Sequence, residues 1–159
     1  MMEFKKKSHR EALSLSKETA EHLRRFYFDE EPVETFETWL YQNKDLEDKI
    51  GKEFFLYIVS FDYSEKEKAK RHDLKEIIKD VYNSQKFDAI FMDQARIIAM
   101  AVLDQSCPVD IGCRKLANIS ENGHAFISEV FTSYSDEFDR LGSTDFYNDR
   151  IIVDIKKSL

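Results

Sequence analysis

The sequence predicts a mainly α protein, a single-domain helical bundle that spans residues 1–159. The first reason is that only 4 Gly and 2 Pro interrupt the chain, whereas all-β folds need turn residues about every 8–12 positions. The second is that apolar residues recur at helical spacing along most of the chain. The third is that hydrophobic residues make up 42% of the 159 residues, which is enough to bury a core without disulfides or a structural metal.

Two helices are predicted in the first third of the chain. The first covers residues 10–28 and ends before Pro32, because a proline disfavours helix in the residue that precedes it. In the second, apolar residues recur every three or four positions through 36–50, and Asn43 is the one polar member of that stripe. Gly51 follows directly and is expected to cap this helix at its C-terminus.

The segment 54–63, FFLYIVSFDY, has two interpretations. Its composition fits a short buried strand, while its apolar residues also recur at helical spacing, and the pattern leaves both open. Ser64 and Glu67 then have the spacing of a capping box, in which the two residues satisfy each other's exposed backbone N–H groups. This box predicts a helix over 65–83.

Four elements are predicted in the second half. A helix over 87–104 is apolar on nearly all sides and should be the most buried one. A helix over 109–119 should turn Ile111 inward, and another covers 124–134. Residues 150–155, RIIVDI, are expected to form a short terminal strand.

Trp39 is the only tryptophan of the chain. On a helix it lies beside the apolar stripe of Phe36 and Leu40, which predicts a position in the core or at its edge. Tyr41 projects to a different side, among acidic residues. An exposed tyrosine there suits protein recognition, and a partly covered surface tyrosine is an equally good interpretation.

The net charge of −7 is unevenly distributed. Residues 29–48 carry eight acids and one base, for −7, and residues 129–154 carry seven acids and two bases, for −5. The 12 acids and 12 bases of residues 49–128 cancel. Two acidic zones disfavour nucleic acid as a ligand and favour a basic partner, although acidic surfaces also serve solubility alone.

No residue pattern indicates a metal, a cofactor or a catalytic centre. Cys107 and Cys113 are separated by five residues, rather than the two to four typical of zinc ligands, and the histidines form no close pair. There is no G-x-S-x-G motif, and four glycines are too few for a phosphate-binding loop. We therefore expect neither metal nor cofactor.

Two segments resemble known bacterial proteins. FETWLY at 36–41, followed by IVSFDY at 58–63, resembles the FExWLY...LISxDY pattern of small uncharacterised proteins, several of them encoded beside polymorphic toxin genes. PVDIGCRKLA at 108–117 is similar to a P(I/V)EGCRKLA helix of other small bacterial proteins. The first resemblance implies an immunity protein, and neither resemblance carries a known catalytic residue.

The sequence therefore predicts a non-catalytic, cytoplasmic binding protein, an immunity protein that neutralises a bacterial toxin by direct binding. The expected partner is a basic toxin domain, with neither nucleic acid nor membrane as a ligand. A helical interaction or regulatory protein unrelated to toxins is the alternative, and a small enzyme comes third. The expected partner-binding residues are acids of the two zones and one tyrosine: Glu30, Glu34, Glu37, Tyr41, Asp136, Glu137 and Asp139.

Overall fold

The computed structural model describes residues 15–64, 66–84, 86–121, 130–141 and 148–158. All regular secondary structure within these ranges is helical, which confirms the predicted mainly α class. The helices are α1 (Lys17–Tyr27), α2 (Val33–Gln42), α3 (Leu46–Ile50), α4 (Lys52–Ser60), α5 (Lys68–Tyr82), α6 (Ala89–Leu103), α7 (Val109–Glu121), α8 (Val130–Leu141) and α9 (Asn148–Ser158).

Internal contacts divide the chain into two compact units, Met1–Ile90 and Phe91–Leu159. The prediction of one domain over 1–159 stays a prediction, and each unit is described by itself. In the first unit α1 packs on α2 and α5, and α4 packs on α2 and α3. Its fully buried apolar side chains are Leu23, Phe36, Leu40, Leu46, Ile50, Ile58, Leu74, Ile78 and Ile90.

Helix α1 begins after Ser16, whose Oγ accepts a hydrogen bond from the backbone N–H of Thr19 at 3.2 Å. Such a cap satisfies one of the free N–H groups of the first turn. The predicted start at residue 10 lies outside the described residues. The helix ends at Tyr27, and Asp29 adopts a positive φ of 57° in the turn that leads to Pro32.

The predicted second helix is two helices, α2 and α3, separated at residues 43–45. The break falls at Asn43, the one polar member of the apolar stripe, whose N–H is shared between the carbonyls of Trp39 and Leu40. Gly51 caps α3 as predicted, with φ of 89°, a conformation that costs glycine little.

The segment 54–63 is helical as far as Ser60, so the strand interpretation is wrong there. Phe54 and Ile58, four residues apart, are buried, whereas Leu56 between them is 54% exposed. A strand would bury alternate residues; a helix buries every third or fourth. Phe61 is extended and ends α4.

The predicted capping box at Ser64 is also wrong. Helix α5 begins at Lys68 after Glu67, with no side-chain cap. Instead, the N–H and Oγ of Ser64 donate to Asp62 Oδ1 at 3.0 and 2.6 Å. The carboxylate two residues earlier is a stronger and nearer acceptor, and it engages the serine in a turn before the helix starts.

Helix α6, predicted over 87–104, is apolar on nearly all sides in sequence, and the structure buries one side of it and exposes the other. Ile98 and Val102 are 6% and 3% exposed, whereas Ile97 and Met100 are 44% and 52% exposed. In the second unit α7 approaches α6 closely at Gly112, where an added Cβ would overlap with Cγ2 of Val102. A larger residue at this helix crossing would force Val102 or one of the two helices to move.

Helix α7 packs on α8 and α9 in the second unit. Its inward side carries Cys113, Leu116 and Ile119, while Ile111 is 44% exposed, so the prediction that Ile111 points inward is wrong. The predicted helix over 124–134 falls partly outside the described residues, and α8 is described from Val130 onward.

The predicted strand over 150–155 is a helix, α9. Ile151 and Ile155 are completely buried, whereas Val153 is 49% exposed. The apolar spacing is thus four residues, one helical turn, rather than the two of a strand. Tyr134 of α8 donates a hydrogen bond to Asp154 of α9 at 2.7 Å and joins the two helices.

Candidate protein-binding site

Three of the predicted binding residues lie on one face of α2. Glu34, Glu37 and Tyr41 are spaced by three and four residues, which places their side chains on the same side of a helix. Glu34 is exposed, Glu37 is partly buried and Tyr41 is 56% exposed. The structure therefore brings these three together and presents two carboxylates beside an aromatic ring.

This face adjoins the C-terminal end of α4. The hydroxyl of Tyr41 lies 3.5 Å from the carbonyl oxygen of Val59, in the last turn of that helix. A helix C-terminus carries a partial negative charge, and the last turn of α4 has no basic residue to offset it. The helix end therefore adds to the negative potential of Glu34 and Glu37.

Tyr63 is a buried residue that holds the chain after α4 against the end of that helix. It is 6% exposed, and its hydroxyl donates to the carbonyl oxygen of Ile58 at 2.6 Å. Burial raises the pKa of Tyr63 strongly, and the nearby phenol of Tyr41 and carboxylate of Glu37 raise it further. The hydroxyl consequently stays protonated and keeps its hydrogen bond. The contact between the Tyr41 hydroxyl and the Val59 carbonyl and the packing of α2 on α4 place the two elements side by side.

A shallow groove of about 410 Å³ lies at the same end of α4. It is lined by Tyr57, Ser60, Phe61, Asp62 and Lys70. The two hydrogen bonds from Ser64 hold the Asp62 carboxylate in place and lower its pKa. The groove thus combines two partly exposed aromatic rings with a fixed, ionised carboxylate.

No pattern in the sequence predicted this groove. Its carboxylate could have been found from the spacing of Asp62 and Ser64, because an aspartate two residues before a serine is a common turn signal. The two aromatic residues that line the groove, Tyr57 and Phe61, belong to no comparable sequence motif. Tyr57 lies in a segment whose helical or extended form was open, and the helix places it in the same groove as Phe61 and Asp62.

Glu30 is less available than the α2 carboxylates. Its carboxylate lies 3.7 Å from the guanidinium of Arg24, and its backbone carbonyl accepts from Arg25 at 3.4 Å. Arg24 is itself 5% exposed. The charge of Glu30 is therefore partly neutralised by its own unit.

The predicted residues of the second acidic zone lie in the second unit. Asp136 is exposed on α8, and Glu137 forms a 2.6 Å ion pair with Arg140. Asp139 belongs to the same helix, but its side chain is outside the described part of the structure.

Trp39 is in the core-edge position that the sequence predicted, 8% exposed and next to Phe36. Its ring stacks on the imidazole of His22, with centroids 4.4 Å apart and planes inclined by 16°. Its Nε1 is buried without a hydrogen-bond partner. The tryptophan is therefore a packing residue, and its pairing with His22 was not visible in the sequence.

His22 also contacts a buried carboxylate. Its Nδ1 lies 2.7 Å from Oε1 of Glu31, a residue that is 5% exposed. The geometry supports a role for this pair in holding α1 against the turn before α2.

No group of three or more His, Cys, Asp or Glu residues in the described part of the chain could hold a metal ion. No described helix has both the length and the apolar character needed to cross a membrane. Comparison of the chain with protein-family models, curated proteins and solved structures finds no match.

Proposed function

We propose that this chain is a non-catalytic binding protein that captures a basic protein partner through the surface formed by α2 and the C-terminal end of α4. Its proposed biological role is that of an immunity protein, which neutralises a bacterial toxin by covering the toxin's functional surface. Such a role requires a complementary surface and no chemistry of its own.

The observation that carries this proposal is the common face of Glu34, Glu37 and Tyr41 next to the carboxyl end of α4. Carboxylates and a helix C-terminus attract cationic side chains. An exposed tyrosine contributes a large contact area at small entropic cost. Together they suit a partner that offers Lys or Arg beside apolar atoms.

The charge of the α2 segment strengthens this argument. Residues 29–48 carry a net charge of −7, from eight acids and one base. Opposite net charges on two proteins accelerate their encounter, and the effect declines as salt is added. A toxin that acts on nucleic acid needs Lys and Arg to contact phosphates, so an acidic neutralising surface would fit a toxin of that kind.

The test begins with capture of the partner on the immobilised chain, followed by expression of that partner in bacteria with and without the chain. Immunity requires that the partner arrest growth alone and that the intact chain restore growth. The variant Glu34→Lys with Glu37→Lys should fail to restore it. A matched control, Glu21→Lys with Asp80→Lys, changes the charge equally at exposed positions of α1 and α5 and should still protect.

The alternative is an interaction protein unrelated to toxins. It uses the same surface and is distinguished by the same experiment, because its partner would not arrest growth. If the Glu34→Lys and Glu37→Lys change leaves capture intact, the proposed surface is wrong under both interpretations.

A further inference from the structure

We propose that the groove at the C-terminal end of α4 seats the guanidinium group of an arginine from the partner. This inference rests on the proposed function for its biological setting, but its chemistry can be tested on the chain alone. The inference assigns one kind of ligand to the groove. The groove is distinct from the face of α2 that carries Glu34, Glu37 and Tyr41.

The walls of the groove suit a flat cation. Tyr57 and Phe61 are partly exposed aromatic side chains that line it, and Phe61 is held edge-to-face against buried Tyr63 with centroids 5.2 Å apart. A guanidinium group stacks on aromatic rings and is less strongly hydrated than an ammonium group. Arginine is therefore preferred over lysine.

The polar group of the groove is pre-positioned for such a cation. Asp62 Oδ1 accepts both hydrogen bonds from Ser64. No described group donates to Oδ2, which can therefore accept an N–H of the guanidinium. The nearby carbonyl end of α4 favours positive charge in the same place. Hydrogen bonds between two charged groups are about twice as strong as neutral ones.

Lys70 is the feature that argues for the opposite charge. It lines the groove from α5 and lies 3.5 Å from Glu67, with both side chains largely exposed. One lysine already adjacent to a carboxylate is a weak anion site, particularly beside a helix C-terminus. For a bound guanidinium, Lys70 is instead a repelling neighbour. The two possible ligand charges thus predict opposite effects of removing it.

The experiment is a titration of the intact chain with the neutral-capped amides of arginine, lysine and citrulline, followed by nuclear magnetic resonance of the groove residues. The arginine probe should shift signals of Tyr57, Ser60 and Phe61 and bind more tightly than the lysine probe. Citrulline has the same shape without the charge and should produce no saturable shift.

Two variants test whether the groove prefers a positively or a negatively charged ligand. Asp62→Asn should weaken binding of the arginine probe by about fivefold to tenfold, as loss of a charge-assisted hydrogen bond does. Lys70→Gln should strengthen it by about twofold to threefold, the scale of one exposed charge pair. Asp104→Asn is the matched control, because Asp104 makes the same turn with Ser106 but does not line this groove. It should bind like the unchanged chain.

Equal shifts with citrulline, or weaker binding in Lys70→Gln, would overturn the arginine assignment. The captured partner then separates this inference from the proposed function. If Asp62→Asn leaves the affinity for the partner unchanged while Glu34→Lys with Glu37→Lys abolishes it, the groove assignment fails and the binding surface stands. If neither variant affects the partner, both fail.

Discussion

His22 and Glu31 are joined by a 2.7 Å contact between Nδ1 and Oε1, which connects α1 to the turn that precedes α2. Glu31 has almost no exposure, and its second carboxylate oxygen has no partner. The contact therefore gives a buried carboxyl group a hydrogen-bond partner. It lies two residues before the start of α2, the helix that carries the proposed binding face.

Replacing His22 with Ala should destabilise the chain by about 1–3 kcal/mol, since a buried polar group loses its partner. The double variant His22→Phe with Glu31→Met removes both members of the pair. It should be closer to the unchanged chain than His22→Ala is, because replacing a buried pair by apolar groups is often nearly neutral. Urea unfolding of the three proteins measures this. A double variant that loses as much stability as His22→Ala, or more, would contradict it.

Replacing Trp39 with Ala should lower the free energy of unfolding by about 3–5 kcal/mol, as truncation of a large buried aromatic does. The lost contacts are those with His22 and Phe36. Trp39→Phe should cost much less, because it keeps a ring on His22 and removes a buried N–H that has no partner. Thermal unfolding followed by circular dichroism compares the two. Equal losses would show that ring stacking contributes little.

Replacing Gly112 with Ala should destabilise the second unit by about 1–3 kcal/mol, because the added methyl group overlaps with Val102 and forces α6 and α7 apart. Adding Val102→Ala should recover part of this loss by making room. Lys115→Ala, an exposed position on the same helix, controls for the effect of alanine itself. The urea midpoint of the double variant should lie between those of Gly112→Ala and the unchanged chain. A Gly112→Ala protein with an unchanged midpoint would show that the two helices accommodate the methyl group without loss of stability.

The described helices could largely be predicted from the sequence because their apolar spacing is strong, whereas boundaries and local contacts could not. The helix breaks at Asn43, the one polar residue of an apolar stripe. A helix often continues through a single polar residue, so apolar spacing alone did not predict the break. Ile151 and Ile155 belong to a short segment that contains further apolar residues, so periods of two and four both fit it. Only burial of one face decides between them.

The candidate site was predictable to a smaller degree. Glu34, Glu37 and Tyr41 follow from helical spacing once α2 is recognised. The groove is formed by α4, the following turn and the first turn of α5, which are consecutive in the chain. Its shape depends on the path of the backbone between the two helices, which apolar spacing does not give. His22 and Glu31 lie nine residues apart across a turn, and no periodic pattern relates residues across a turn of that kind.

Stability should fall as the pH rises above about 9. Burial raises the pKa of Cys113 from 9.0 to about 12, and burial with the hydrogen bond to Asp154 raises that of Tyr134 to about 12. Both groups keep their protons to higher pH when folded than when unfolded. Their contribution is therefore complete below the unfolded pKa and disappears as the pH approaches 12. Urea midpoints at pH 8 and 10.5 should differ, and Cys113→Ala should reduce the difference.

The rate at which the captured partner associates should depend on α2 more than on α8. Glu34 is exposed on α2, whereas Glu137 on α8 is already neutralised by Arg140 at 2.6 Å. Reversing Glu34 and Glu37 to Lys should therefore slow association by about tenfold at low salt, and reversing Asp136 should slow it less.

Each change should alter stability by no more than about 0.5 kcal/mol, as exposed substitutions usually do. Raising the salt to about 0.5 M should bring the rates together, because screening then acts within a few ångströms. Stopped-flow measurements at several salt concentrations test this, and a rate that is independent of salt in all variants would assign partner capture to apolar contacts instead.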